Sequence, residues 1–166
     1  MEPYILSVFV ANESGVLARV SMLFGRRGYN IDSLTVSATD EAEVSRITLT
    51  VRGDEGILEQ IEQQLLKLQE VLKVERMDRS RSLCRELLLI KLSVPPRQRM
   101  EAKVAAEGLG ARLMEEARES LIFEMTARPD RIDLFLREMA EYPILEMCRT
   151  GMTAMEYENP KQEETL

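Results

Sequence analysis

The residues best suited to chemistry lie at one strand-to-helix junction, which runs from Asn12 to Leu17 as Asn-Glu-Ser-Gly-Val-Leu. A helix N-terminus presents unpaired backbone N–H groups and a partial positive charge, and it therefore binds carboxylates. Gly15 has no side chain to block the approach of a ligand to the backbone. Asn12 can donate and accept hydrogen bonds through its amide. The junction therefore predicts a site for the carboxylate of a small molecule.

A second amide, Asn30, opens the next predicted strand beside Ile31. If this strand meets the 12–17 loop of a second copy of the chain, the two segments supply N–H donors, two amides and small apolar walls. These are the features that an aliphatic α-amino acid requires. The alternative is purely structural, with Asn12 or Ser14 capping the helix and Gly15 turning the chain. Both interpretations stay open on the residues alone.

The composition excludes most catalytic chemistry. The 166 residues include no histidine and two cysteines, Cys84 and Cys148, 64 positions apart. Catalytic triads and His-bearing zinc sites need histidine, and four-thiolate metal sites need more cysteines. The chain also has no glycine-rich phosphate loop and no Gly-x-Ser-x-Gly elbow. We therefore expect no catalytic residue, no metal site and two buried, reduced thiols.

The charge argues against nucleic acid as a partner. The net charge is −7, and both halves are acidic, with −4 over residues 1–80 and −3 over the remainder. A nucleic-acid binder usually gathers basic residues into a patch. No apolar run approaches the roughly 18 residues that a membrane span needs, and the start of the chain has no signal-peptide pattern. The sequence predicts a cytoplasmic protein that binds neither nucleic acid nor membrane.

Apolar periodicity and turn residues predict the element order β-α-β-β-α-β twice. In the first half we expect strands at 4–10, 30–38, 44–51 and 71–77, and helices from Val16 to Arg27 and from Ile57 to Leu68. In the second half we expect strands at 87–94, 111–118, 120–127 and 144–157, and helices at 97–107 and from Pro129 onward. The apolar face of the 97–107 helix is predicted to be Met100, Val104 and Ala105.

This order defines an α+β fold of two ferredoxin-like βαββαβ domains, each an antiparallel four-stranded sheet with two helices on one face. The predicted divisions are a first domain at 1–78, a linker at 79–84, a second domain at 85–158 and a disordered tail at 159–166. Because helices cover one face only, something else must cover the other face or the edge strand. Dimerisation or domain pairing is therefore predicted.

The first half resembles a known family over about 50 residues. The matching segments are Ile-Leu-Ser-Val-Phe-Val-Ala-Asn-Glu-Ser-Gly-Val-Leu-Ala-Arg-Val at 5–20, then Phe24, Arg-Gly-Tyr-Asn-Ile-Asp-Ser-Leu-Thr-Val at 27–36, and Ser45-Arg46. They resemble the N-terminal ACT domain of the regulatory small subunit of acetolactate synthase, also called acetohydroxyacid synthase. The second half resembles the family more weakly, through segments at 85–91, 132–136 and 149–151, and departs from it at 126–129 and in the acidic 155–158 segment.

The resemblance implies a non-catalytic chain with no cofactor of its own. The family's catalytic large subunit holds thiamine diphosphate, magnesium and usually FAD, and condenses pyruvate with pyruvate or 2-oxobutanoate. The small subunit raises that activity and makes it sensitive to a branched-chain amino acid, typically valine. A runner-up is a free-standing ACT-type amino-acid sensor that regulates a different enzyme or a transcription factor.

Family effector sites lie between paired ACT domains, which implies a homodimer. The positions that match are Asn12, Gly15, Val16, Leu17, Asn30 and Ile31. In that role the 15–17 backbone N–H groups hold the carboxylate and Asn30 of the second copy holds polar groups. The aliphatic chain is expected to contact Val16, Leu17 and Ile31. Since aspartate suits a helix N-terminus, Gly15→Asp is predicted to abolish effector binding at little cost to the helix.

Overall fold

The computed structural model describes residues 3–157, which form two compact units. The first unit ends at Leu83 and resumes at Met152, and the second spans Cys84–Gly151. The elements up to residue 77 are β1 (Tyr4–Ala11), α1 (Val16–Arg27), β2 (Ile31–Ala38), β3 (Val44–Val51), α2 (Glu55–Leu65) and β4 (Val71–Met77). Those that follow are β5 (Ser82–Ser93), α3 (Arg99–Gly108), β6 (Arg112–Glu116), β7 (Ser120–Ala127), α4 (Pro129–Glu138), β8 (Ile144–Arg149) and β9 (Thr153–Glu156).

The first sheet has the order β2-β3-β1-β4, with antiparallel neighbours. Alternate residues of β1 and β3 face both helices in one core, because side chains on a strand point to opposite faces with a period of two. The buried members are Leu6, Val8, Val10, Ile47, Leu49, Val51, Val16, Val20, Phe24, Leu58, Ile61 and Leu65. Two helices on one face of a four-stranded sheet confirm the predicted ferredoxin-like fold.

The other face of this sheet is partly covered by the returning chain, residues 152–157. The Thr35 hydroxyl donates to the Met152 carbonyl at 3.0 Å, and the Met152 N–H donates to the Ser33 hydroxyl at 3.3 Å. The Arg46 Nη2 donates to the Ala154 carbonyl at 2.7 Å. Part of the cover that the one-sided helical layer requires therefore comes from the same chain.

This return differs from the expected course of the chain. The single strand predicted at 144–157 is wrong, since the chain forms β8 and β9 with a break at 150–152. The residues after the break pack with the first unit, although the sequence assigned 85–158 to the second domain. The predicted tail at 159–166 lies outside the described residues.

The second sheet has the order β6-β7-β5-β8, again antiparallel, and β9 also pairs with β5. The strand β5 begins at Ser82, so three residues of the predicted 79–84 linker are strand, and Arg79–Arg81 form a 3₁₀ turn. The core contains Leu88, Ile90, Leu92, Leu121, Phe123 and Met125 from the sheet and Ala102, Ala106, Ile132 and Phe135 from the helices. The second ferredoxin-like domain is thereby confirmed.

Two predictions of burial are wrong in this unit. Met100 and Val104 are exposed at 69% and 62%, and Ala102 and Ala106 face the core instead. Small side chains let α3 lie close to the sheet, whereas a methionine at the same face would hold it away. Cys148 is exposed as a free thiol, and only Cys84 is buried. Within residues 3–157, no helix is long and apolar enough to cross a membrane.

Candidate effector site

The helix α1 begins with a bare N-terminus. Gly15 occupies the N-cap position with φ of 82°, a left-handed conformation that glycine adopts without steric strain, and no side chain caps the helix. The prediction that Asn12 or Ser14 caps it is therefore wrong. Among the four α-helices formed by residues 3–157, α1 is the one with neither a side-chain cap nor an acidic residue in its first turn. Its positive end is not neutralised by the helix's own residues.

Three backbone donors are free at this end. The first intrahelical bond runs from the Arg19 N–H to the Gly15 carbonyl at 3.0 Å. The N–H groups of the three residues between them, 16–18, have no acceptor among the residues that the structure describes. Together with a helix dipole equivalent to roughly half a positive charge, these donors form an anion-binding end.

Asn12 ties the end of β1 to the β2–β3 connection. Its Nδ2 donates to the Ala42 carbonyl at 2.9 Å, and its Oδ1 accepts from the Ser45 hydroxyl at 2.9 Å. Its backbone N–H donates to the Glu43 carbonyl at 2.8 Å. An amide offers two N–H donors and two lone pairs, so one of each remains for a ligand. Its role toward an effector stays a prediction.

The two apolar residues of the junction have different positions. The Val16 side chain is buried in the first core, with 3% of its surface exposed, and its contact with an aliphatic ligand stays a prediction. The backbone N–H of Val16 remains available to donate to a carboxylate. Leu17 is 41% exposed and can contact an apolar group beside the helix end.

Asn30 and Ile31 lie at the opposite end of the same sheet. Ile31 pairs with Val51, which pairs with Tyr4 at the start of β1, whereas the junction follows the other end of that strand. Eight residues at about 3.3 Å per residue separate the two ends by roughly 23 Å. The exposed Asn30 Nδ2 donates to the Asp32 carboxylate at 3.0 Å. A single chain therefore does not bring the predicted site residues together.

Arg19 is a residue of the junction that sequence analysis missed. A Cβ added to Gly15 would lie 3.4 Å from the Arg19 Nη1, which places a guanidinium beside the bare helix end. The spacing could have revealed it, since residues four apart on a helix are neighbours. Its Nη2 pairs with Glu70 at 2.9 Å. Gly15→Asp is therefore a poor test of the site, because the substitution adds left-handed strain and a new partner for Arg19.

The first unit, a ferredoxin-like sheet with a bare helix N-terminus, belongs to the class of ACT domains, as its sequence profile shows. The sequence profile described as "AHAS small subunit-like ACT domain" matches residues 6–73. A second profile, "Small subunit of acetolactate synthase", matches residues 85–158.

Full-length relatives extend the match over both units. The "Probable acetolactate synthase small subunit" of Archaeoglobus fulgidus is 43% identical over 94% of this chain and 98% of that protein. The acetolactate synthase small subunit of Mycolicibacterium smegmatis is 39% identical over 90% of this chain and 88% of its own length. The crystal structure of the acetolactate synthase small subunit from Thermotoga maritima has a TM-score of 0.89 at 33% identity, covering 96% of this chain and 99% of that one. The chain belongs to the family of acetolactate synthase small subunits, which are regulatory and not catalytic.

Proposed function

We propose that this chain activates the catalytic large subunit of acetolactate synthase and makes it sensitive to a branched-chain amino acid, with valine as the effector. The observation that carries the effector site is the bare N-terminus of α1, with three free N–H donors and no acidic residue in its first turn. A carboxylate binds at this end, and the exposed Leu17 contacts the aliphatic side chain.

The site is completed by a second copy of the chain. The strand β2 is an edge strand, and an edge presents unpaired backbone groups to another strand. Antiparallel pairing of two β2 strands about a two-fold axis sets the Ile31 end of one copy beside the Ala38 end of the other. Ala38 and Val10 both pair with Ser45, so the Ala38 end is the end at which the α1 junction begins. Asn30 and Ile31 of one copy thereby approach the donors of the other.

Regulation follows from differential binding. An effector can shift the holoenzyme only by the difference in its affinity for two arrangements of the paired ACT domains, ordinarily about 1–3 kcal/mol. Thiamine diphosphate, magnesium and FAD belong to the large subunit in this scheme, and the condensation of pyruvate takes place there in the cytoplasm.

The test is reconstitution with the large subunit. We expect this chain to raise the rate of pyruvate condensation, and valine to reverse the increase. Leu17→Glu adds a carboxylate at the first turn of α1, where it suits the helix but repels the effector. We expect this variant to activate the large subunit without conferring valine inhibition. The neutral control Leu17→Gln loses only the apolar contact, and we expect it to retain inhibition at a higher valine concentration.

Two results would contradict the proposal in different ways. Unchanged valine sensitivity in Leu17→Glu would mean that the effector binds elsewhere on the holoenzyme. Failure of the unaltered chain to activate the large subunit would remove the proposed partner, and would favour an ACT-type sensor of another enzyme.

A further inference from the structure

A basic cleft of about 470 Å³ lies between α1 and the C-terminal end of α2. Its lining includes four cations, Arg19, Arg26, Arg27 and Lys67, and the apolar residues Met22 and Leu68. No lining residue is acidic. The cleft is therefore positively charged although the net charge of the chain is −7.

Most of this positive charge has no local partner. Arg19 pairs with Glu70, but Arg26, Arg27 and Lys67 make no ion pair with any residue that the structure describes. The C-terminal ends of α1 and α2 each contribute roughly half a negative charge, which offsets about one cation. About two positive charges therefore remain uncompensated, more than the stabilisation of the helix ends requires.

The cleft also contains apolar surface. Met22 is 51% exposed, and Leu68 packs partly against the first core. Methionine adapts its shape to irregular apolar partners. A matching occupant therefore combines carboxylates with at least one apolar side chain. Because charges are screened within about 8 Å at physiological salt, the acidic groups must lie on the segment that enters the cleft.

We propose that the basic cleft docks an acidic, amphipathic segment of the catalytic large subunit. This inference rests on the proposed function, since it names the surface through which that partner binds. The bare N-terminus of α1 lies at the other end of the same helix, whose 12 residues span about 18 Å. Arg19 touches both regions, since it lines the cleft and lies beside Gly15. One rigid helix thus carries the effector end and the partner surface.

The test compares two variants with the same change in net charge. R26E/R27E reverses two cations of the cleft, and R131E/R137E reverses two exposed arginines of α4, one of them also in the last turn of its helix. Binding of each to the immobilised, purified large subunit is measured by interferometry at low and high salt. Valine binding to each free variant is measured by calorimetry.

We expect R26E/R27E to bind the large subunit at least about tenfold more weakly at low salt, or about 1.4 kcal/mol. Its affinity should also depend less on salt, because fewer attractive charge pairs remain for the salt to screen. R131E/R137E should stay within about twofold of the unaltered chain. Both variants should bind valine normally. If R26E/R27E loses valine binding through a folding defect, the milder R26Q/R27Q must show the weaker large-subunit binding for the proposal to stand.

Four other results would overturn the proposal. Equal losses in the two variants would assign the effect to net charge, and no loss in either would assign the large subunit to another surface. Binding of a single-stranded oligonucleotide that only R26E/R27E abolishes, with large-subunit binding intact, would assign the cleft to nucleic acid. If the unaltered chain does not bind the large subunit at all, the proposed function fails together with this inference.

Discussion

The helices α1 and α3 occupy the same place in their two units, yet their charges are arranged differently. Each follows the first strand of a ferredoxin-like sheet. The helix α1 follows the N-cap Gly15 and has no acid in its first turn, whereas α3 follows the N-cap Gln98 and has Glu101 in its first turn. An acid at a helix start offsets the dipole. The start of α3 therefore carries an acidic residue of its own, and the start of α1 carries none.

The cations of α1 and α3 also differ, because those of α3 have an acidic partner and those at the end of α1 have none in the part of the chain that the structure describes. On α3, Lys103 donates to the Glu116 carboxylate at 2.8 Å, and Arg99 lies 3.5 Å from the same group. On α1, Arg26 and Arg27 have no ion pair within residues 3–157. The cations of α3 are therefore paired with Glu116. The C-terminal arginines of α1 have no such partner among the described residues, although the two helices share one place in the topology. The binding functions proposed for α1 therefore rest on these local charges, since both helices have the same place in the fold.

The largest effect is expected where a charge is added to the open junction. Leu17→Glu should reduce valine affinity at least about 100-fold, or about 2.7 kcal/mol, because it sets a carboxylate against the ligand carboxylate. Gln98→Glu makes the same charge change at the start of α3 and should leave valine affinity unaltered. Calorimetry should give one valine site per chain. Two valine sites per chain, or a loss of valine affinity in the Gln98→Glu variant, would contradict the difference between the starts of α1 and α3.

A smaller effect, on stability, is expected at residues 152–157, the segment that covers part of the first sheet. Arg46 donates from Nε to the buried Ser7 hydroxyl at 2.8 Å, from Nη2 to Ala154, and its guanidinium lies 5.5 Å from the Phe9 ring centre. Arg46→Ala should lower the free energy of unfolding by about 2 kcal/mol, since hydrogen bonds from charged groups are the stronger ones. Chemical denaturation measures it, with Arg46→Lys as the matched control of intermediate effect.

Amide exchange can localise that loss. The Met152 N–H, held by Ser33, should exchange faster in Arg46→Ala, whereas the Thr150 N–H, held by the Leu87 carbonyl in the second unit, should not change. Equal acceleration at both amides would show that the arginine stabilises the whole chain and not the covering segment.

The sequence predicts the regular elements well, because their signals are local. The strands at 44–51, 71–77 and 120–127 are predicted to the residue, since alternation of apolar side chains ends there at turn residues. The face of α3 is not predicted, because Ala102, Val104 and Ala106 are all apolar and only the distance to the sheet selects among them. The division of 144–157 into β8 and β9 depends on pairing with strands far away in the chain. A local sequence pattern carries no information about those partners.

The candidate site also has features that the sequence predicts and features that it does not. Gly15 and the helix start are visible in the sequence because the turn cluster at 11–15 precedes an apolar helical pattern, and both are local signals. The bonds of Asn12 to residues 30 and 33 positions away are not visible, and they replace the predicted cap. The separation of Asn30 from the junction is also a property of strand register and not of spacing.

Two glycines of α1 should respond in opposite directions to the same substitution. Gly15→Ala forces an alanine into φ of 82° and should lower the free energy of unfolding by about 1 kcal/mol. Gly25 is helical, with no atom within 4 Å of an added Cβ, so Gly25→Ala should raise it by about 0.5–1 kcal/mol. Thermal denaturation of both variants measures the difference. Equal signs would mean that Gly15 is not held in the left-handed conformation.

The smallest effect is expected at Glu116, which neutralises the cations of α3. The hydrogen bond from Lys103 lowers the pKa of this exposed carboxyl below its ordinary value, and Arg99 acts in the same direction. The unfolded chain therefore takes up the proton more readily, so the pair stabilises the fold above the ordinary pKa of 4.5 and loses its effect as the pH falls. Glu116→Gln should be slightly less stable at neutral pH and should lose less stability on acidification, as measured by denaturation at a series of pH values. Identical pH profiles would show that α3 needs no neutralising acid, and its contrast with α1 would then rest on the helix starts alone.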